Sequence, residues 1–136
     1  MASIFVDSSA LIALGSRQDK FFQTAQQLRQ KLVKSQSTFI TTHAVILEVA
    51  NYFSQSQWRS TAVSLINNIY NSEAWQCLVL DDDLMKEGFN LYQKRTDKDW
   101  SLVDCIGIVV AKNLGITEVF TTDHHFEQAG FKILLK

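Results

Sequence analysis

Short runs rich in β-branched and aromatic residues alternate along this chain with longer segments whose apolar residues recur at helical spacing. The first run, residues 3–6, ends at Asp7, and helical spacing begins at Ala10, with Ser8 or Ser9 suited to be the N-cap. The same patterns predict further strands over 38–42, 75–80, 118–121 and 131–135. They predict further helices over 20–34, 44–55, 59–71, 84–95 and 101–114, the last of them closed by Gly115.

Strands that alternate with helices favour a parallel sheet, because parallel neighbours need a crossover segment between them. The pattern therefore predicts a three-layer α/β sandwich in which a parallel sheet of about five strands is flanked by helices. No internal repeat, low-complexity tract or linker interrupts the pattern, and the chain has no proline. We expect a single domain over residues 1–136.

Composition narrows the class of protein. A hydrophobic fraction of 46% is enough for a packed core. Cys77 and Cys105 match neither a zinc motif nor a disulfide framework, so they are expected to be reduced. The N-terminus lacks the basic segment of a signal peptide, and no apolar stretch is long enough to cross a bilayer. These features predict a soluble cytoplasmic protein with no membrane association.

Four acidic residues occupy positions that a parallel sheet would bring together. Asp7 ends the first predicted strand, Asp123 follows the strand at 118–121, and Asp104 lies in the first turn of the long apolar helix. Glu48 lies in the helix after the second strand. Ligands of open parallel sheets bind beyond the carboxyl ends of the strands, so these side chains are expected to converge there.

Each acid also has a purely structural explanation. Asp7 and Asp123 can each cap a turn or a helix, and Ser101 with Asp104 fits a capping box. Glu48 can belong to a weakly polar helix face. Both interpretations remain open for each residue taken alone.

A converged cluster would have a clear chemical use. Two carboxylates ~4 Å apart repel by ~4 kcal/mol at an effective dielectric near ~20, so a cation is needed between them. Oxygen ligands without paired histidine or cysteine select Mg²⁺, with Mn²⁺ as a substitute. A net charge of −1 does not favour nucleic-acid binding by itself, but a bound cation supplies the missing positive charge. Phosphodiester hydrolysis is the reaction class that such a site favours.

The segments that carry these acids resemble the motifs of PIN-domain nucleases, in order and at similar spacing. They read FVDSSALIAL at 5–14, LEVAN at 47–51, DWSLVDC at 99–105 and VFTTDHHF at 119–126. The size of the chain is similar to that of the VapC group, the toxins of toxin–antitoxin pairs. The resemblance implies that Asp7 and Asp104 ligate the metal, Asp123 completes the site, and Glu48 orients or deprotonates water or supports a second metal.

The resemblance further implies an endoribonuclease that cuts structured RNA such as tRNA or ribosomal RNA and is restrained by an antitoxin. Exposed apolar residues of the helices at 20–34 and 44–71 could serve an antitoxin or a homodimer. The alternative is a non-catalytic module that binds RNA or a protein partner. Three further roles stay open. Asp99 is an additional acid or a loop residue, and His124 and His125 contact phosphate or Mn²⁺ or lie in an exposed turn.

Overall fold

The protein is built on a five-stranded parallel sheet with the strand order β3-β2-β1-β4-β5. The structure, a computed structural model, describes residues 2–135. The strands are β1 (Ser3–Val6), β2 (Thr38–Thr42), β3 (Trp75–Leu78), β4 (Glu118–Phe120) and β5 (Lys132–Ile133). The predicted fold class is therefore confirmed.

Seven helices flank the sheet in the part of the chain that the structure describes. They are α1 (Ser8–Gly15), α2 (Phe22–Lys34), α3 (His43–Tyr52), α4 (Arg59–Asn71), α5 (Asp82–Lys94), α6 (Leu102–Asn113) and α7 (His124–Gln128). The first four pack on one another, and α6 packs against both α5 and α7. No helix within residues 2–135 is long and apolar enough to cross a membrane.

The central strand β1 sets the position of the carboxyl edge. Its residues Ile4, Phe5 and Val6 are fully buried, as expected for a parallel strand covered on both faces. β1 pairs with β2 on one side and β4 on the other, in registers that include Phe5 opposite Val119. The ends of β1, β2 and β4 consequently open onto the same edge of the sheet.

Two glycines allow α6 to pack closely against its neighbours. A Cβ atom on Gly107 would lie 3.0 Å from Cε2 of Phe5 and 3.2 Å from Cζ of Phe126. A Cβ atom on Gly88 of α5 would lie 2.5 Å from Cγ1 of Ile106 of α6. The close approach of α5, α6 and β1 fixes the start of α6, where Asp104 lies.

Several predicted boundaries differ from the observed ones; α3, for example, ends at Tyr52 rather than at residue 55. β3 ends at Leu78 rather than at residue 80, because its ladder partner β2 ends opposite it at Thr42. β5 covers two residues rather than 131–135, since its neighbour β4 is itself only three residues long. Helix α1 begins at Ser8, so its N-cap is Asp7 rather than Ser8 or Ser9.

The short helix α7 was not predicted. It has five residues, and Phe126 is its buried residue, so no helical periodicity can be recognised in the sequence. The prediction of α6 was confirmed to within one residue at each end. Gly115, just beyond it, has φ of 67°, a left-handed conformation that glycine adopts without strain.

Candidate active site

All four acids proposed from the sequence lie at the carboxyl edge of the sheet. Asp7 directly follows β1 and is 4% exposed, and Asp104 in the first turn of α6 is 7% exposed. Glu48 of α3 and Asp123, just after β4, are half-buried. The negative charges of Asp104 and Glu48 act on Asp7, and those of Asp104 and Asp123 act on Glu48. The structure thus brings together residues spread from position 7 to position 123.

A pair of hydroxyl groups holds the carboxylate of Asp7. Thr121 Oγ1 donates to Asp7 Oδ2 over 3.0 Å, and Ser9 Oγ donates to the same oxygen over 3.2 Å. The two hydroxyl oxygens also accept from the chain after β4, Ser9 from the N–H of Thr122 and Thr121 from that of Asp123. These contacts tie Asp7 to the loop that carries Asp123. Neither hydroxyl residue was predicted from the sequence to belong to the site, although each lies within two positions of an acid.

Burial makes ionisation of Asp7 costly. Its pKa rises from 3.8 to about 7, chiefly by desolvation and then by the negative charge of Asp104. The hydroxyl of Thr121 favours the anion and opposes this rise, without overcoming it. The pKa of Glu48 is raised by the same cause, its burial, and is lowered in part by Ser8, whose Oγ donates to Glu48 Oε1 over 2.7 Å.

Asp104 has a structural role in addition to its place in the cluster. The capping box considered from the sequence is confirmed. The N–H of Asp104 donates to Ser101 Oγ over 3.0 Å, and the N–H of Ser101 donates to Asp104 Oδ2 over 3.1 Å. The Nδ1 atom of His125 lies 2.9 Å from the same oxygen. Both contacts use Oδ2, and Oδ1 of Asp104 forms no hydrogen bond within residues 2–135.

Asp123 lies next to two histidines, His124 and His125. Its Oδ1 accepts the backbone N–H of His125 over 2.9 Å, and the Nδ1 atoms of His125 and His124 lie 3.2 and 3.8 Å from it. His125 therefore bridges Asp104 and Asp123, which the sequence did not reveal. Asp99, by contrast, is exposed and has no hydrogen bond or ion pair to any of the four acids within the described chain.

The donor set suits a divalent cation. Asp7 and Asp104 offer hard carboxylate oxygens, and Mg²⁺ prefers such oxygens in proteins. Burial raises the pKa of Asp7 most, and repulsion from the negative charge of Asp104 raises it further. A cation bound there would relieve this repulsion, so Asp7 and Asp104 fit the role of metal ligands.

Comparison with known proteins shows the family. The profile of the PIN domain matches residues 4–132 of the chain. The chain belongs to the PIN domain family. The resemblance inferred from the four acidic motifs is thereby confirmed. This PIN domain is 25% identical over 129 residues to a VapC ribonuclease of Aquifex aeolicus. The alignment covers 93% of this chain and 92% of the relative.

Solved structures share the fold over nearly the whole chain. The Mycobacterium tuberculosis toxin VapC20, which cleaves the sarcin–ricin loop, has a TM-score of 0.85 at 24% identity, over 98% of this PIN domain and 99% of VapC20. VapBC2 of Rickettsia felis, bound to a DNA fragment from its promoter, has a TM-score of 0.71 at 10% identity over 97% of both chains. FitAcB of Neisseria gonorrhoeae has a TM-score of 0.67 at 14% identity over 96% of both chains.

Proposed function

We propose that this PIN domain is a metal-dependent endoribonuclease and the toxin of a VapBC-type toxin–antitoxin pair. The observation that carries the proposal is the convergence of four carboxylates at one sheet edge, two of them almost fully buried. A cluster of this kind has no evident structural use as a whole, although Asp104 belongs to the capping box of α6 and Asp123 is the N-cap of α7. Similarity to a VapC ribonuclease along 93% of the chain supports the same function.

Each residue has a definite role in this proposal. Asp7 and Asp104 would hold Mg²⁺, or Mn²⁺ in its place, and Asp123 would complete the site. The bound ion would neutralise charge on the phosphate and make a water molecule more acidic. Ser9 and Thr121 keep the Asp7 carboxylate in a fixed orientation through their hydrogen bonds to Oδ2.

Glu48 is the proposed general base. Its carboxylate is half-buried, and its raised pKa brings it closer to the range in which a carboxylate accepts a proton efficiently. The hydrogen bond from Ser8 engages Oε1, which leaves Oε2 to orient the water that attacks the phosphodiester. The chain thus supplies both the oxygens for the cation and a separate proton acceptor.

The proposed substrate is a structured RNA, either tRNA or ribosomal RNA, and the proposed partner is a small antitoxin. The sequence-based expectation of a docking surface on the first helices has a structural counterpart. Large apolar side chains on or next to α2, α3 and α4 are exposed, namely Val33, Leu47, Tyr52, Trp58, Val63 and Tyr70. An antitoxin or a second copy of the chain would cover part of this surface. A cytoplasmic location and a single domain over residues 1–136 stay predictions.

A cleavage assay on tRNA and ribosomal RNA tests the proposed function. We expect cleavage with Mg²⁺, loss of cleavage in EDTA, and losses of at least ~100-fold in Asp7→Asn and Asp104→Asn, since removal of charge stabilisation at a reaction centre has effects of this order. Asp83→Asn, which changes an exposed aspartate of α5, is the matched control and should retain full activity. Cleavage that survives EDTA, or equal rates in all three variants, would contradict the proposed metal-dependent roles. No cleavage under any condition would favour the non-catalytic module.

A further inference from the structure

Two imidazoles stand beside the carboxylate cluster and are not needed by the proposed hydrolysis. One ligand atom each from Asp123, His124 and His125 lies within 4.8 Å of the other two. The three residues are consecutive, so their backbone holds them together whatever occupies the rest of the site. Asp104 adds a fourth donor, because its Oδ2 lies 2.9 Å from Nδ1 of His125.

The spacing of these donors matches the edge of a coordination shell. With metal–ligand bonds of ~2.0–2.1 Å, neighbouring ligand atoms around one ion lie roughly 3.0–3.4 Å apart. The Oδ1 atom of Asp123 lies 3.2 Å from Nδ1 of His125 and 3.8 Å from Nδ1 of His124. The His125 nitrogen already lies within this range of Asp123, whereas the His124 ring has to move closer to its neighbours.

The exposure of the His124 side chain allows this approach. Asp123 is oriented by the backbone N–H of His125. The His125 side chain is 21% exposed and contacts Asp104. The His124 side chain is 70% exposed and can rotate toward its neighbours without displacing a packed group. Asp123 and His125 are thus already positioned as ligands, and His124 can rotate to become the third.

We propose that Asp123, His124 and His125 form a second cation site, selective for a transition metal such as Zn²⁺ over Mg²⁺. Imidazole nitrogen is a preferred ligand of Zn²⁺, Cu²⁺ and Ni²⁺, whereas Mg²⁺ prefers oxygen and gives up its waters reluctantly. The site shares Asp123 with the carboxylate cluster and is next to Asp104. Zn²⁺ bound there competes with the proposed magnesium site for the Asp123 carboxylate.

Calorimetric titration of the metal-free full chain with Zn²⁺ and, separately, with Mg²⁺ tests this site. We expect one Zn²⁺ per chain. His124→Gln and His125→Gln should each raise its Kd at least ~10-fold, since even residues behind the ligands change metal affinity by about 10–100-fold. His43→Gln is the matched control, because His43 lies at the start of α3, where its Nδ1 accepts the N–H of Leu80, and should bind Zn²⁺ like the parent chain.

Two further variants separate this site from other sources of binding. Asp7→Asn should keep the Zn²⁺ site and lose affinity for Mg²⁺, which distinguishes failure of the second site from failure of the proposed nuclease function. Cys77→Ser, at the half-buried free thiol, should leave Zn²⁺ binding unchanged. Unaltered Zn²⁺ affinity in His124→Gln, whose exposed side chain is not needed for folding, would overturn the proposal. So would Zn²⁺ binding that depends on Cys77.

Discussion

The substitution Asp7→Asn tests whether crowded carboxylates destabilise the metal-free protein. An asparagine retains an oxygen that can accept the hydroxyls of Thr121 and Ser9, so the local hydrogen bonds can persist. What the substitution removes is a buried negative charge beside Asp104 and Glu48. We therefore expect Asp7→Asn to be more stable than the parent chain at neutral pH, although most substitutions of buried residues destabilise.

The size and the pH range of this effect follow from the pKa of Asp7. Because the pKa is raised to about 7 in the folded chain, the folded state holds a proton that the unfolded state releases near pH 3.8. The free energy of unfolding consequently falls as the pH rises through this interval. The penalty is complete above pH ~7 and is at most about 4 kcal/mol, since one pKa unit corresponds to 1.36 kcal/mol. Between pH ~5 and ~8 it amounts to about 2–3 kcal/mol.

Urea denaturation in EDTA at pH ~5 and ~8 measures this effect. The parent chain should lose about 2–3 kcal/mol more than Asp7→Asn between the two conditions, because only the parent ionises residue 7. The pKa of Glu48 is also raised, so Glu48 adds a pH dependence of the same sign to the stability of both proteins. Asp83→Asn, at an exposed position, should follow the parent. The same pH dependence in the parent chain and in Asp7→Asn would refute the electrostatic reasoning.

Two other results are expected. Millimolar Mg²⁺ or Mn²⁺ should raise the melting temperature measured by differential scanning fluorimetry, since a ligand at 100 times its Kd adds about 2.7 kcal/mol to the free energy of unfolding. Asp104→Asn should weaken this response. If metal shifted the melting temperature of neither the parent chain nor Asp104→Asn, the four acids would not form a metal site. Gly88→Ala should reduce the urea-derived free energy of unfolding by roughly 1–3 kcal/mol, because its Cβ would clash with Ile106 of α6. An unchanged midpoint would mean that α5 and α6 separate at little cost.

Local pattern alone determined much of this protein. The apolar runs predicted β1 and β2 at their observed bounds, and helical spacing predicted α4 at its observed bounds. Once the strands were expected to be parallel, the positions of the acids after β1 and β4 placed Asp7 and Asp123 at one edge. These features depend on neighbouring residues, so they are visible in the sequence itself.

Only the tertiary structure decided how the site is held and what its charges do. The hydrogen bond between Thr121 and Asp7 joins residues separated by 114 positions, and the contact of His125 with Asp104 spans 21. The burial that raises the pKa of Asp7 comes from the whole packed edge of the sheet rather than from its neighbours in sequence. Such contacts have no periodicity along the chain, because they arise when separate strands and helices meet. Proximity and desolvation are properties of the folded arrangement, and the sequence pattern alone could not supply them.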